Sequence, residues 1–240
     1  MITNKPFLSV IIPLYNEQKR LNKLIKLYKY LKKQNFTYEV ILVNDGSKDN
    51  TLKRTDNLSK DFKFNLITYK ENRGKGFAIR TGMLAAQGQN LLFTDIDLST
   101  PIEEFNKFLP LLKKQRIIIG SRKTKGSVLQ KRQGIMRESL GKGFTLLSQV
   151  ILGLQISDFT CGFKCFSKKA AKEIFSKQRI ERWGFDSEIL FLAKKLGYEI
   201  TEIPVRWSND PGTKVKFPGD IFRSLVDLYR IRHAWSKKAY

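Results

Sequence analysis

One histidine, His233, and two cysteines, Cys161 and Cys165, are all that this sequence offers in imidazole and thiol chemistry. A lone histidine near the end of the chain argues against a histidine-activated nucleophile and against a His-rich metal centre. The C-x3-C pair has no second pair and no neighbouring histidine, so it lacks the ligand count of a structural zinc site. Two thiols do not make a disulfide framework either, and a reducing compartment is expected. Long hydrophobic runs are also missing. The longest mostly apolar stretch, GFTLLSQVILGLQI at 143–156, falls short of the roughly 20 residues that span a bilayer. Met1–Pro6 is short and polar, without the apolar centre of a signal peptide. The expectation is a protein that is soluble or lies on a membrane surface.

Negative charge is scarce: 22 Asp and Glu stand against 45 Lys and Arg, giving a net charge of +23 spread along the whole length. Such a surface suits nucleic acid, anionic lipid or phosphorylated small molecules. With 41% hydrophobic and 12% aromatic residues among 240, the chain can bury a sizeable core, and disorder is excluded.

What is present is a regular alternation. LSVIIPL (8–14), YEVILVN (38–44), NLITY (65–69), NLLFTDI (90–96) and RIIIG (116–120) are short and rich in β-branched residues, as strands are. Amphipathic stretches separate them. In EQKRLNKLIKLYKYLKK, for example, Leu21, Leu24, Ile25, Tyr28 and Leu31 keep helical spacing. This order predicts an α/β fold with a mainly parallel sheet and helices on both faces, whose ligands bind beyond the carboxyl ends of the strands. The polar segments that follow the strands are YNE, NDGSKDNT, ENRGKG, DID and SRKTKG. The second half is less regular: DFTCGFK, a helix near Ala170, RWGFDSEIL opening another helix, a strand-like YEITEIPVRW and a basic amphipathic helix at the end.

Asp95 and Asp97 are two residues apart, so an extended backbone would direct both carboxylates to one side. That pair suits a hard divalent cation shared with a substrate diphosphate. The alternative is that one caps a helix, although Ser99-Thr100-Pro101 with Glu103 and Glu104 already reads as a helix start. In NDGSKDNT either Ser47 or Asp49 can cap the next helix, which leaves Asp45 to meet a nucleotide base edge or ribose. RGKG is either a tight turn or a helix start whose amides, dipole and Lys75 face phosphate. From Ser121 to Arg137 there are six cations and no acid. This is a solvated loop or a phosphate-binding one, with Arg122 and Arg137 as the guanidinium forks.

Taken together, PLYNE, VNDGSKDNT, NRGKG, DID, GSR, SDFTCGFK, RWGFDSEIL and GTKV resemble the inverting family 2 glycosyltransferases of GT-A fold, in order and over nearly the whole chain. The branch is the one that transfers a sugar to polyprenyl or dolichyl phosphate. FTYEVILVNDGSKDNT followed by NRGKGFAIRTG looks most like the dolichyl-phosphate β-glucosyltransferases. Departures are Asn44 where Asp is common, Phe159-Thr160 where the glucosyl branch has Thr-Gln, and Ile96 in place of the usual alanine.

The resemblance implies that Pro13, Tyr15, Glu17, Asp45 and Asp95 hold a uridine or guanosine diphosphate sugar, with Asp95 and Asp97 on Mg²⁺ or Mn²⁺. It implies that Arg122, Arg137 and Ser139 steer the acceptor phosphate, that Lys75 and Lys214 approach the donor phosphates, and that Asp186 either meets sugar hydroxyls or charges a helix start. A phosphate monoester is already a dianion at neutral pH, so the acceptor needs no general base. Glucose from UDP-glucose is the expected donor group. The alternatives are GDP-mannose as donor, or a polysaccharide acceptor with Asp158 or Asp186 as base.

The expected organisation is a glycosyltransferase domain at 1–218, divided into a donor half at 1–122 and an acceptor half at 123–218, followed by a basic amphipathic helix at 219–240. The stretch at 143–156 and the final helix, with Ile221, Phe222, Leu225, Leu228 and Tyr229 beside basic residues, read either as core or as interfacial segments. The partners expected are a nucleotide sugar, a lipid phosphate and an anionic membrane surface at its cytoplasmic face. Nucleic acid is not among them, because carboxylates gathered at strand ends would repel it.

Overall fold

Residues 5–114, 117–131, 134–212, 214, 219–237 and 239–240 are described by a computed structural model. The five expected strands form as β1 (Leu8–Leu14), β2 (Tyr38–Asp45), β3 (Asn65–Tyr69), β4 (Asn90–Thr94) and β5 (Ile117–Ser121). Between them run α1 (Leu24–Leu31), α2 (Thr51–Leu58) and α3 (Lys75–Ala85), with short 3-10 helices at Leu21–Lys23, Ile102–Lys107 and Leu109–Lys114. The second half supplies β6 (Val128–Lys131), α4 (Ile135–Leu152), β7 (Phe163–Ser167), α5 (Lys168–Lys177), α6 (Phe185–Lys195), β8 (Ile200–Pro204), β9 (Arg206–Ser208) and α7 (Gly219–Ser236).

Seven strands make one sheet in the order β3-β2-β1-β4-β7-β5-β8, and β6 pairs with β9 in a small separate ribbon. The sheet is parallel except for β7, which runs antiparallel to both β4 and β5. This strand was not expected. Its sequence FKCFS carries a lysine at its second position and ends on a polar residue, which hides the apolar pattern. Its insertion also means that the halves divided at 122 share one sheet. The strand expected at 198–207 breaks at the fully buried Val205, whose amide donates to the Ser121 carbonyl at 3.1 Å, and so yields β8 and β9.

Near-continuous apolar strands are what a sheet covered on both faces requires. Ile11, Ile41, Val43 and Phe93 enter one core under α3, α5 and α6, while Val10, Ile12, Val40, Leu42 and Leu92 enter the other under α1. Successive side chains alternate between the two layers. Ile25, expected on the buried stripe of α1, is instead exposed. Leu228 and Ile231 of α7 join the first core, so the final helix packs as part of the domain.

Candidate active site

Two clefts open at the carboxyl ends of the parallel strands, the first beyond β1, β2 and β4 and the second beyond β4 and β5. The first has a volume of about 350 Å³ and is walled by Pro13, Tyr15, Glu17, Asp45, Lys75, Asp95, Asp97 and Lys214. Seven of these were expected at a nucleotide sugar and Asp97 at its metal, and the fold brings the eight together; Asp186, expected with them, lies in the second cleft instead. The second cleft, of about 390 Å³, is walled by Arg122, Lys123, Lys142 and Asp186 together with Leu129, Leu140, Phe144, Trp207 and Ile221. Lys75, Asp95, Trp183 and Asp220 belong to both clefts, so the two meet at the Lys75–Asp95 pair.

The loop after β1 is built by reciprocal hydrogen bonds with the loop after β2. Asn16 adopts a positive φ of 52°, its amide donates to Ser47 Oγ at 2.9 Å, and the Glu17 amide donates to Thr51 Oγ1 at 2.8 Å. Asp49 accepts from the amide of Thr51, the first residue of α2, at 2.9 Å, but the N-cap position is Asn50, which makes no side-chain cap, and Ser47 serves the loop. Glu17 is buried and bonded to Arg20 at 3.0 Å. Burial raises its carboxyl above the usual range, against the pull of the Arg20 charge. Lys214 donates to the Asn16 carbonyl at 2.8 Å, and Arg20 and Lys23 both bind Asp210. These bonds tie Asp210 and Lys214 to the loop after β1, at the wall of the first cleft.

Asp45 at the end of β2 shapes the neighbouring loop. Its carboxylate accepts from Asn72 Nδ2 at 2.7 Å and from the amides of Arg73 and Gly74 at 2.8 and 2.9 Å. Gly74 needs its φ of 112° to present that amide, a conformation that L side chains avoid. The Phe77 amide is held by the Glu181 carbonyl at 2.9 Å. The Arg73 and Gly74 amides of RGKG are engaged inside the protein, and Lys75 places its ammonium in both clefts, 2.6 Å from Asp95 Oδ1. Burial lowers the lysine's pKa, but Asp95 and Asp186 outweigh it, and Lys75 stays charged.

The expectation that an extended strand would carry both aspartates to one side is corrected. β4 stops at Thr94, the Leu98 amide donates back to the Asp95 carbonyl at 3.1 Å, and Leu98 has a φ of 45°. The two carboxylates share a cleft because Ile96 between them is 4% exposed and anchored in the core. Asp97 accepts from the Ser99 amide at 2.8 Å. Burial, reinforced by the charge of Asp95, raises its carboxyl above the usual range. The pair therefore holds more negative charge than Lys75 neutralises. No cluster of three or more His, Cys, Asp or Glu side chains placed to hold a metal occurs among the described residues. Such a site fits a hard cation that takes its remaining oxygens from a substrate.

In the second cleft Arg122 is held in a bidentate pair. Its Nε and Nη2 donate to Asp158 at 2.7 and 2.8 Å, its amide also donates to Asp158, and its guanidinium lies 5.4 Å from the Trp207 ring centroid. Burial alone would raise the Asp158 carboxyl, but Arg122 brings it down to about 2. Lys123 donates to the Gly141 carbonyl at 3.1 Å. Asp186 is buried against Lys164, a fully buried lysine on β7 that also donates to the Cys161 carbonyl at 2.7 Å. Ser139 sits exposed on α4, outside the walls of both clefts, because its neighbours Glu138, Leu140 and Gly141 take the inward positions. The Arg137 side chain lies outside the described residues.

Sequence reasoning missed Arg182 and Trp183 ahead of α6, and Asp220 and Arg223 on the first turn of α7. The RW of RWGFDSEIL was legible as a cation next to an aromatic. The α7 pair was masked by the apolar stripe on the same helix.

Residues 9–175 match the profile of the family described as glycosyl transferase family 2. The chain belongs to glycosyl transferase family 2. Among its relatives, a dolichyl-phosphate beta-glucosyltransferase of Trichomonas vaginalis is 39% identical over 96% of this chain and 75% of its own length. A dolichyl-phosphate beta-glucosyltransferase of Drosophila melanogaster is 38% identical over 96% of this chain and 79% of its own, and the Homo sapiens protein of the same name is 38% identical over 87% and 69%. Among solved structures, Mycobacterium tuberculosis glucosyl-3-phosphoglycerate synthase in complex with Mn²⁺, UDP-glucose and glycerol 3-phosphate superposes with a TM-score of 0.69 at 17% identity. That match covers 95% of this chain and 80% of the other. The fold is the GT-A type that the family 2 resemblance implied, and the chain is a glycosyltransferase.

Proposed function

We propose that this family 2 enzyme moves glucose from UDP-glucose to the phosphate of a dolichol-type lipid, with inversion at the anomeric carbon. The observation that carries the reading is the junction of a polar cleft with a more apolar one at Lys75 and Asp95. The first has the carboxylates and lysines suited to a nucleotide diphosphate sugar. In the second, Lys123 and Lys142 stand beside Leu140, Phe144, Trp207 and Ile221, as a phosphate on an isoprenoid tail would need, with Glu138, Asp186 and Asp220 on the same walls and Arg122 held by Asp158. The names of the relatives favour glucose over mannose.

In this reading Lys123 and Lys142 draw the lipid phosphate towards the junction, and a phosphate oxygen attacks the anomeric carbon as the bond to UDP breaks. Positioning and electrostatics supply the catalysis. Asp158, the candidate base for a polysaccharide acceptor, is held by Arg122 with its carboxyl at about 2, too weak a base to accept a hydroxyl proton. Asp186 meets the sugar from the floor of the junction, and Lys214 closes on the diphosphate. Asp95 and Asp97 would hold Mg²⁺ or Mn²⁺, which would neutralise charge on the departing diphosphate.

No helix among the described residues is long and apolar enough to cross a membrane. Among the described residues ten large hydrophobic side chains are exposed, and seven of them lie on the two helices that supply walls of the second cleft: Met136, Leu140, Leu146, Leu147 and Val150 on α4, and Phe222 and Tyr229 on α7. That clustering supports docking on an anionic leaflet, where each nearby Lys or Arg contributes about 1 kcal/mol. The buried free thiols of Cys161 and Cys165 accord with the reducing, cytoplasmic side.

Transfer of labelled sugar to polyprenyl phosphate, with UDP-glucose, GDP-mannose and UDP-N-acetylglucosamine compared side by side, tests the reading. UDP-glucose is expected to be used, and Asp97→Asn is expected to abolish transfer without changing the unfolding temperature. Full activity in Asp97→Asn, or exclusive use of another donor, would overturn it.

A further inference from the structure

Gly162 enters β7 with a backbone that gives no reason for glycine, since its φ is not in the left-handed region that five other glycines occupy. What surrounds it does give a reason. A Cβ built on Gly162 would lie 2.2 Å from Asp95 Oδ2 and 2.9 Å from Asp95 Cγ, so the carboxylate rests directly on the glycine backbone. The register explains this contact. β4 and β7 run antiparallel with Thr94 opposite Phe163, and one step further along the two chains stand Asp95 and Gly162. Opposed residues in such a pair present their side chains on the same face, close together.

The backbone at Gly162 cannot retreat, because Cys161 is 1% and Phe163 0% exposed on either side. Any side chain at 162 would therefore displace the carboxylate. Asp95 Oδ1 would then leave its position 2.6 Å from Lys75, at the junction of the clefts.

We infer that Gly162 is a positioning residue: the bare backbone of β7 seats the Asp95 carboxylate towards Lys75 and the donor cleft. This rests on the reading of Asp95 as a donor-site residue, so the test separates the two. The dissociation constant of UDP in the presence of Mn²⁺ is measured by calorimetry, with thermal unfolding in parallel, for wild type, Gly162→Ala, Asp95→Ala and the double variant.

Gly162→Ala is expected to weaken UDP binding about tenfold, within the coupling seen for residues in contact, and to add less than about twofold once Asp95 is alanine, because the new methyl then has room. An equal loss in both backgrounds marks the glycine as a general structural requirement and overturns the inference. So does unchanged binding in Gly162→Ala while Asp95→Ala is impaired. Unchanged binding in Asp95→Ala overturns the donor reading and the inference with it. If Gly162→Ala alone fails to fold and the double variant folds, the collision with the carboxylate is demonstrated directly; if both fail, the inference falls.

Discussion

Replacing Lys164 by methionine removes one charge from the interior and leaves its shape nearly unchanged. Lys164 has 0% and Asp186 6% side-chain exposure, and the two are paired directly. Stranding one member of such a pair costs about 3–5 kcal/mol, because the remaining charge loses both its partner and its water. The other cations that Asp186 feels, Lys75 and Arg122, are already held by Asp95 at 2.6 Å and by Asp158 at 2.7 Å. Relief is therefore partial, and the expected loss is about 3 kcal/mol, which in a chain of this size lowers Tm by roughly 6–12 °C. Thermal unfolding followed by circular dichroism checks it. Adding Asp186→Asn should recover most of the lost stability, since no charge is then stranded, while transfer stays impaired because the carboxylate facing the second cleft is gone. A Tm within about 1 °C of wild type in Lys164→Met would refute the electrostatic reasoning, since a loss of even 1 kcal/mol shifts Tm by more than that. Recovery of transfer in the double variant would show that the pair is only structural.

The Asp158 carboxyl, which burial alone would raise, is held by Arg122 at about 2, below the ordinary carboxylate range. Its contribution to stability is present above the unfolded value and is lost as pH falls towards 2, amounting to on the order of 2 kcal/mol. Asp158→Asn should flatten that stretch of the acid unfolding profile, and an unchanged slope between about pH 4 and 2 would contradict it. Burial pushes the Cys161 thiol up to about 11 and Cys165 higher still, and both side chains are sealed in the core. A thiol reagent at neutral pH should therefore label neither residue in the folded protein and both after denaturation. Leu146→Glu with Val150→Glu, at side chains 61% and 73% exposed, should leave Tm within a degree or two and sharply reduce sedimentation with anionic vesicles. Undiminished sedimentation would remove α4 from the membrane face.

The first cleft was legible from sequence because a parallel sheet delivers its functional residues at the carboxyl ends of strands. Four of the five apolar runs lead, at or soon after their ends, to a residue that lines the cleft: Tyr15, Asp45, Lys75 and Asp95. The second cleft was less legible, for physical reasons. Arg122 reads as a free phosphate ligand until Asp158, a distant residue in the chain, folds against it in a bidentate pair. β7 hides in FKCFS because its lysine points to a buried aspartate that no local pattern announces. Asp95 and Asp97 were placed together correctly, but by a turn pinned through Ile96 and not by strand alternation. Ser139 shows the limit of matching a motif on a helix, where a shift of one residue turns a side chain by about 100° and carries it out of the cleft.

Four consecutive residues on the first turn of α7 face four ways. Asp220 borders both clefts, Ile221 the acceptor cleft and Arg223 the donor cleft, while Phe222 between them is 68% exposed. A helical turn is stiff, so the exposed Phe222 shares one rigid body with side chains that wall both clefts, and the outer surface of the protein lies a single turn of helix away from each of them.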